Sequence, residues 1–193
     1  MRFTSLDLEL NQPGNEIIQI GASYFDTDIG LIGRQNIYVD PEVEVNWNYP
    51  LNTGISLQDL FPIYFRDRWS KESFLQKEAM QMFWDTHKTM QCGKKFIQWG
   101  RGDLKLLLEQ SQGCGYPSHL RSLDLKQVYQ YIWQPSARLE KQSSLSKACA
   151  NLNVPPPFPA HDAAEDAHAT GLVFLKMFTQ VGALLELLSK VDP

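Results

Sequence analysis

Residues 5–10 read SLDLEL. The alternation has period two, the spacing of a β-strand whose side chains point to opposite faces. Phe3, Ser5, Asp7 and Glu9 fall on one face; Thr4, Leu6, Leu8 and Leu10 fall on the other. A strand that otherwise reads as core therefore carries two neighbouring carboxylates on one face. Like charges crowded beside a core are costly unless something offsets them.

Working outward, "NQPG" (Asn11 to Gly14) is a turn, followed by β-rich runs at residues 16–25 (EIIQIGASYF) and 34–40 (RQNIYVD). Short connections between three such runs make an antiparallel meander. Residues 41–54 read as a loop. The stretch 71–87 has helical spacing at Phe74, Leu75, Ala79, Met82 and Phe83. Strands are expected at 94–100 and 119–125, and helices at 103–110, 124–133 and 143–154, the last stopping at the breaker PPPFP. A long helix is expected from Ala163 to Phe178, followed by a short amphipathic tail. Three strands followed by alternating helix and strand predict an α/β fold, a mixed central sheet flanked by helices.

Composition agrees with one domain over residues 1–193. The hydrophobic fraction is 43% and the charged fraction 21%, both ordinary for a globular protein. No apolar run approaches the roughly 20 residues that cross a bilayer. The first strand starts so early that no signal peptide is expected, and a cytoplasmic location is the expectation that goes with unpaired, reduced cysteines. Cys92, Cys114 and Cys149 are odd in number, far apart and outside any CxxC pattern, so they read as buried thiols. The net charge of −4 is unevenly spread: residues 1–60 sum to −7, 61–150 to +6 and 151–193 to −3. A cationic middle could hold phosphates and acidic ends could hold cations; solvated surface would also give some asymmetry.

Three places carry possible chemistry: Asp7-x-Glu9, Asp103 in "WGRGDLK", and "HDAAEDA" from His161 to Ala167. A divalent cation would answer the crowding of carboxylates, since hard ions such as Mg²⁺ take carboxylate oxygen. A histidine beside such ions could act as general base near neutral pH. Structural roles stay open beside these. Asp103 also suits a helix N-terminus. Asp162 can cap the last helix, with Glu165 completing a capping box, while Asp162 also shares a helical face with Asp166 as a rival ligand. His161 could be structural; His87, His119 and His168 read as surface residues, and Trp99 as core.

In order and context, Asp7-x-Glu9, Asp103, His161 and Asp166 resemble the DEDDh group of 3′–5′ exonucleases in the ribonuclease H-like superfamily. "EIIQIGA", "NTGIS" (Asn52 to Ser56) and "IQWGRGDLKLL" resemble further stretches of that family, and "LNTGI" and "WG..D" look most like its RNA-trimming members. The resemblance implies a ribonuclease H-like fold and a phosphodiester hydrolase using two Mg²⁺ or Mn²⁺ ions. Asp7 would bridge the ions, Glu9 and Asp166 would complete the first site, Asp103 would support the second, and His161 would deprotonate the attacking water. Its partners would be single-stranded nucleic-acid 3′ ends, RNA over DNA, with no membrane and a homodimer left open. Many relatives carry threonine and glycine after the glutamate, where this chain has Leu10, Asn11 and Gln12. By the resemblance, Leu10, Asn11 and Gln12 would lie near the terminal nucleotide, with Leu10 and Asn11 as the candidates for substrate contact. Lys94, Lys95, Arg101 and Lys105, flanking Asp103 in sequence, are the candidates for phosphate contact. The alternative is a protein of this fold that binds nucleic acid or acts as an adaptor without catalysis.

Overall fold

The computed structural model describes residues 1–50, 56–61, 63–133, 144–159 and 161–191, with side chains as far as 182. Three long strands come first: β1 (Arg2–Leu10), β2 (Ile17–Asp26) and β3 (Gly30–Asp40). Then follow α1 (Leu57–Leu60), α2 (Ile63–Glu72), β4 (Phe74–Leu75), α3 (Gln76–Met90), β5 (Lys95–Gln98), α4 (Asp103–Gln110), β6 (Arg121–Asp124), α5 (Leu125–Ile132), α6 (Leu145–Leu152) and α7 (Ala163–Val191). The sheet order is β4-β3-β2-β1-β5-β6. β1 pairs antiparallel with β2, and β2 with β3; β5 runs parallel to β1, and β6 to β5. This is the expected mixed sheet, a meander extended by parallel strands.

The period-two reading of β1 explains its two covered faces. Leu6 and Leu8 pack under α3 and α4 with Ile20, Phe83, Trp84 and Leu107. Phe3, of opposite parity, packs under α7 with Phe25, Val173 and Met177. Each such side chain contributes about 1.5–3 kcal/mol on burial, so the strand is anchored hard enough to hold unfavourable carboxylates at its far end.

Several expectations change. Phe74 and Leu75 are not helical; they pair with Val39 and Asp40 at the sheet edge, and the helix starts only at Gln76. The region read as loop is followed by α1 and α2, which sequence reading missed. Its signal is Phe61, Phe65 and Trp69 at four-residue spacing, which pack with Trp47 and Tyr38 in a third cluster. The final helix runs on through the expected tail to Val191. His87 is a core residue rather than a surface one: its Nε2 lies 2.9 Å from the Gly93 carbonyl and its Nδ1 3.0 Å from the Thr4 hydroxyl. His168 is half-buried and stacks on Phe25. The three cysteines are free and buried, and Trp99 packs against Tyr129. Residues 52–55 of the "NTGIS" stretch lie outside the described residues. Among the described residues, no helix is long and apolar enough to cross a membrane.

Candidate active site

The site forms where the C-terminal end of β1 meets the start of α7. Asp7 and Glu9 keep the parity of Phe3 and so face α7. Across the ladder, Asp7 stands opposite Gly21 and Glu9 opposite Gln19. Both partners on β2 hold the helix. At Gly21 an added Cβ would lie 2.0 Å from the carbonyl carbon and oxygen of Ala163. Only glycine lets the helix backbone press onto the strand there. The buried Gln19 accepts a hydrogen bond from Ala163 N (2.9 Å) and donates to Asp162 Oδ1 (3.3 Å). Asp162 Oδ1 also accepts from Ala164 N at 3.0 Å, capping the helix as expected. Glu165 does not complete a capping box; it pairs instead with Arg34 at 2.6 Å.

This fixed helix start delivers two more groups. Asp166 lies one turn on from Asp162. His161 precedes the cap in a left-handed conformation, φ 60°. Its backbone lies where it favours the ionised form of the Asp166 carboxylate. Ligand atoms of Glu9, His161 and Asp166 all lie within 4.8 Å of one another, a spacing that could hold a metal ion.

Asp103 arrives from the neighbouring strand. β5 lies beside β1, with Ser5 opposite Ile97, so the chain leaving β5 emerges next to Asp7. Gly100 and Gly102, at φ 115° and 121°, turn it into α4. The buried Gln98 Oε1 accepts from Leu104 N at 3.1 Å and secures the first turn.

The electrostatics tie these groups into one site. Burial pushes the Asp7 carboxyl well above the usual carboxylate range, and Glu9, Asp103, Asp166 and Asp162 push it further. Glu9 is raised in the same direction by burial, then by Asp166, Asp162 and Asp103. Asp103 is pushed up to about 6 by burial and Asp124, and Asp166 to about 6 by burial and Asp162. The His161 side chain is exposed by area, yet loss of solvent around its ring lowers its pKa. Among the described residues, Asp7, Glu9, Asp103 and Asp166 have no lysine or arginine within ion-pair distance. Crowded, half-buried oxygen donors without a cation form a donor set that fits Mg²⁺ or Mn²⁺.

The other candidates separate. Leu10 packs partly against the α3-side core. Asn11 is 4% exposed and its amide is engaged by Glu16, the Glu44 carbonyl and Asn46 N. Arg101 pairs with Asp124, and Lys105 with Glu109. The strand register moves Lys94 and Lys95 away: Lys95 is level with Phe3, four residues back from Asp7, about 13 Å along the sheet. Sequence reading missed Gln19, Gly21 and Gln98 as positioning residues. A lone glycine inside a strand was the signal available for Gly21.

Neither a family model nor a curated protein matches the chain. Solved structures do. The nuclease domain of 3′hExo, a DEDDh family member, bound to rAMP, superposes with a TM-score of 0.69 over 93% of this chain and 92% of that one, at 16% identity. The chain has the fold of a DEDDh-family nuclease domain. A second structure, of 3′-end-specific recognition of histone mRNA stem-loop by a 3′-exonuclease, also gives 0.69 at 16% identity, covering 93% of this chain and 82% of that one. S. pombe Pop2p in its Mg²⁺- and Mn²⁺-bound form gives 0.56 at 13%, covering 91% and 82%. The ribonuclease H-like architecture is thus shared at identities where little sequence is.

Proposed function

We propose that the protein is a metal-dependent 3′–5′ exonuclease acting on single-stranded nucleic-acid ends, RNA over DNA. The observation that carries this reading is the convergence of Asp7, Glu9, Asp103, Asp166 and His161, from three separate chain segments, on one cluster whose carboxylates, among the described residues, have no lysine or arginine within ion-pair distance. The fold neighbours support it: one is a DEDDh nuclease domain bound to rAMP, and Pop2p is known in an Mg²⁺- and Mn²⁺-bound form.

Asp7, Glu9, Asp103 and Asp166 would hold the ions. When bound, two divalent cations supply Lewis-acid polarisation of the phosphodiester and a lower pKa for water. His161 does the proton work. Its lowered pKa keeps the imidazole neutral at pH 7, so a ring nitrogen can accept the proton of the attacking water. The water oxygen bonds to phosphorus as the bond to the 3′ oxygen breaks, leaving a nucleoside 5′-monophosphate and a strand shorter by one. Gln19, Gly21 and Asp162 keep His161 and Asp166 in register with β1.

The test uses 5′-labelled RNA and DNA oligonucleotides of one sequence. Products should shorten stepwise from the 3′ end with Mg²⁺ or Mn²⁺, RNA faster than DNA, and cleavage should stop in EDTA. Undiminished cleavage in excess chelator, or no cleavage with either ion, would sink this reading.

A further inference from the structure

Positive charge gathers at the end of the sheet away from the carboxylates. Lys94 and Lys95 sit at the start of β5, Arg121 opens β6, and Lys88 lies in the last turn of α3. The backbone holds them together: Arg121 N donates to the Lys94 carbonyl at 2.9 Å, and Lys95 stands opposite Arg121 in the parallel register. All four are exposed, and among the described residues none has an ion-pair partner. Arg34, which reaches the start of α7, and Arg101 and Lys105, which flank Asp103 in sequence, differ in that each is paired. At the basic end, Asp26 is taken up by Arg2 and the Met1 amino group, and Asp28 remains as an exposed acid.

Beside Lys88 opens a cavity of about 570 Å³, whose lining includes Trp84, Gln91 and Tyr116. Tyr116 is 38% exposed, and its ring lies 5.4 Å from that of Trp84. Unpaired cations next to an accessible aromatic face are the two elements that bind single strands: charge tracks the phosphates and the ring stacks on a base. A cluster of carboxylates, in contrast, repels every phosphate that its ions do not hold. A polyanionic substrate therefore needs its cations elsewhere on the molecule.

We propose that this basic end is a second nucleic-acid-binding surface, which holds the 5′-ward part of a single strand whose 3′ end occupies the carboxylate site. The strand direction rests on the exonuclease reading; the binding itself does not. With about 13 Å of sheet between the two places, only strands several nucleotides long reach both. Affinity therefore grows with length, and very short strands gain nothing from the basic end.

The experiment measures fluorescence anisotropy of 5′-labelled RNA of 3 and 20 nucleotides in EDTA, across a salt series. The proteins are wild type, a variant with Lys88→Gln, Lys94→Gln, Lys95→Gln and Arg121→Gln combined, and a charge-keeping variant with Lys88→Arg, Lys94→Arg and Lys95→Arg. Circular dichroism confirms that each is folded. The neutral variant should bind the 20-mer at least tenfold more weakly. The slope of log affinity against log salt should flatten by about 2–3, because each phosphate that a cation neutralises adds about 0.7 to it on a single strand. The arginine variant should bind like wild type, and Tyr116→Ala should weaken binding without changing the slope. Wild type that does not bind the 20-mer, or a neutral variant that keeps both affinity and slope, overturns the proposal. Because cleavage is not the readout, failure of the exonuclease reading leaves these results interpretable.

Discussion

Gly21→Ala should damage the site through the backbone alone. The added methyl would lie 2.0 Å from the Ala163 carbonyl and 2.3 Å from Ala164 N, where ordinary contact begins at 3.4 Å. β2 cannot retreat, because β1 and β3 flank it on both sides. The first turn of α7 must therefore withdraw by about 1.4 Å, enough to reach ordinary contact. That shift breaks the 2.9 Å bond from Ala163 N to Gln19 and carries His161 and Asp166 away from Glu9. Overpacking costs about 1–3 kcal/mol and the broken bond about 1 more, so Tm should fall by roughly 5–12 °C. A misplacement of about 1 Å costs on the order of 10² in rate. We expect kcat/KM to drop about 100-fold at a temperature where the variant is fully folded. The control is Met80→Ala, a fully buried residue on the α3 side of the sheet. It should lose about 2–5 kcal/mol of stability and keep its activity. Gly21→Ala with wild-type kcat/KM, or Met80→Ala as inactive as Gly21→Ala, would refute the reasoning.

Asp7→Asn should lower turnover by at least 10³ while raising Tm in chelator, because it removes one member of a repelling set; near-normal turnover would place the chemistry elsewhere. His161→Ala should reduce the rate by about 10²–10⁴ with metal affinity retained, read by single-turnover kinetics beside a metal titration; abolished metal affinity would make His161 a ligand. Asp103 and Asp166, raised to about 6 in the folded chain, hold protons that the unfolded chain releases above its ordinary value near 4. Their effect is therefore a destabilisation that sets in as pH rises from about 4 to about 6. The Tm gain from adding Mn²⁺ should accordingly grow between pH 4.5 and 7.5, and a flat gain would argue against metal binding there. His87 works with the opposite sign: burial lowers its pKa, so the stability it contributes is complete above about 6.5 and is lost as pH falls below. Acid unfolding monitored in chelator should shift to lower pH in His87→Gln if the variant folds.

The sequence alone determined the parity of β1. Period two placed Asp7 and Glu9 on the face of Phe3 and against the Leu6 face, and no tertiary contact was needed to see it. Strand and helix order was legible for the same reason, since amphipathic patterns are local. The short and aromatic pieces were not. α1 and α2 carry their signal in three rings, Phe61, Phe65 and Trp69, that find their partner Trp47 only in the fold, and Phe74 looked helical until it paired with Val39. Partners of charges were equally hidden. Nothing local says that Glu165 turns to Arg34, or that Asn11 is bound by its own loops. Neighbourhood in sequence also misled: Lys94 and Lys95 come within ten residues of Asp103, yet an extended strand carries each residue about 3.3 Å further away, and they face the other end of the sheet. Only the tertiary structure decided how β2 receives α7, because that depends on the missing side chain of Gly21 directly across the ladder from Asp7. A side chain's chemistry is written in the sequence, but the backbone approach that sets its position to within an ångström is a property of two segments packed together.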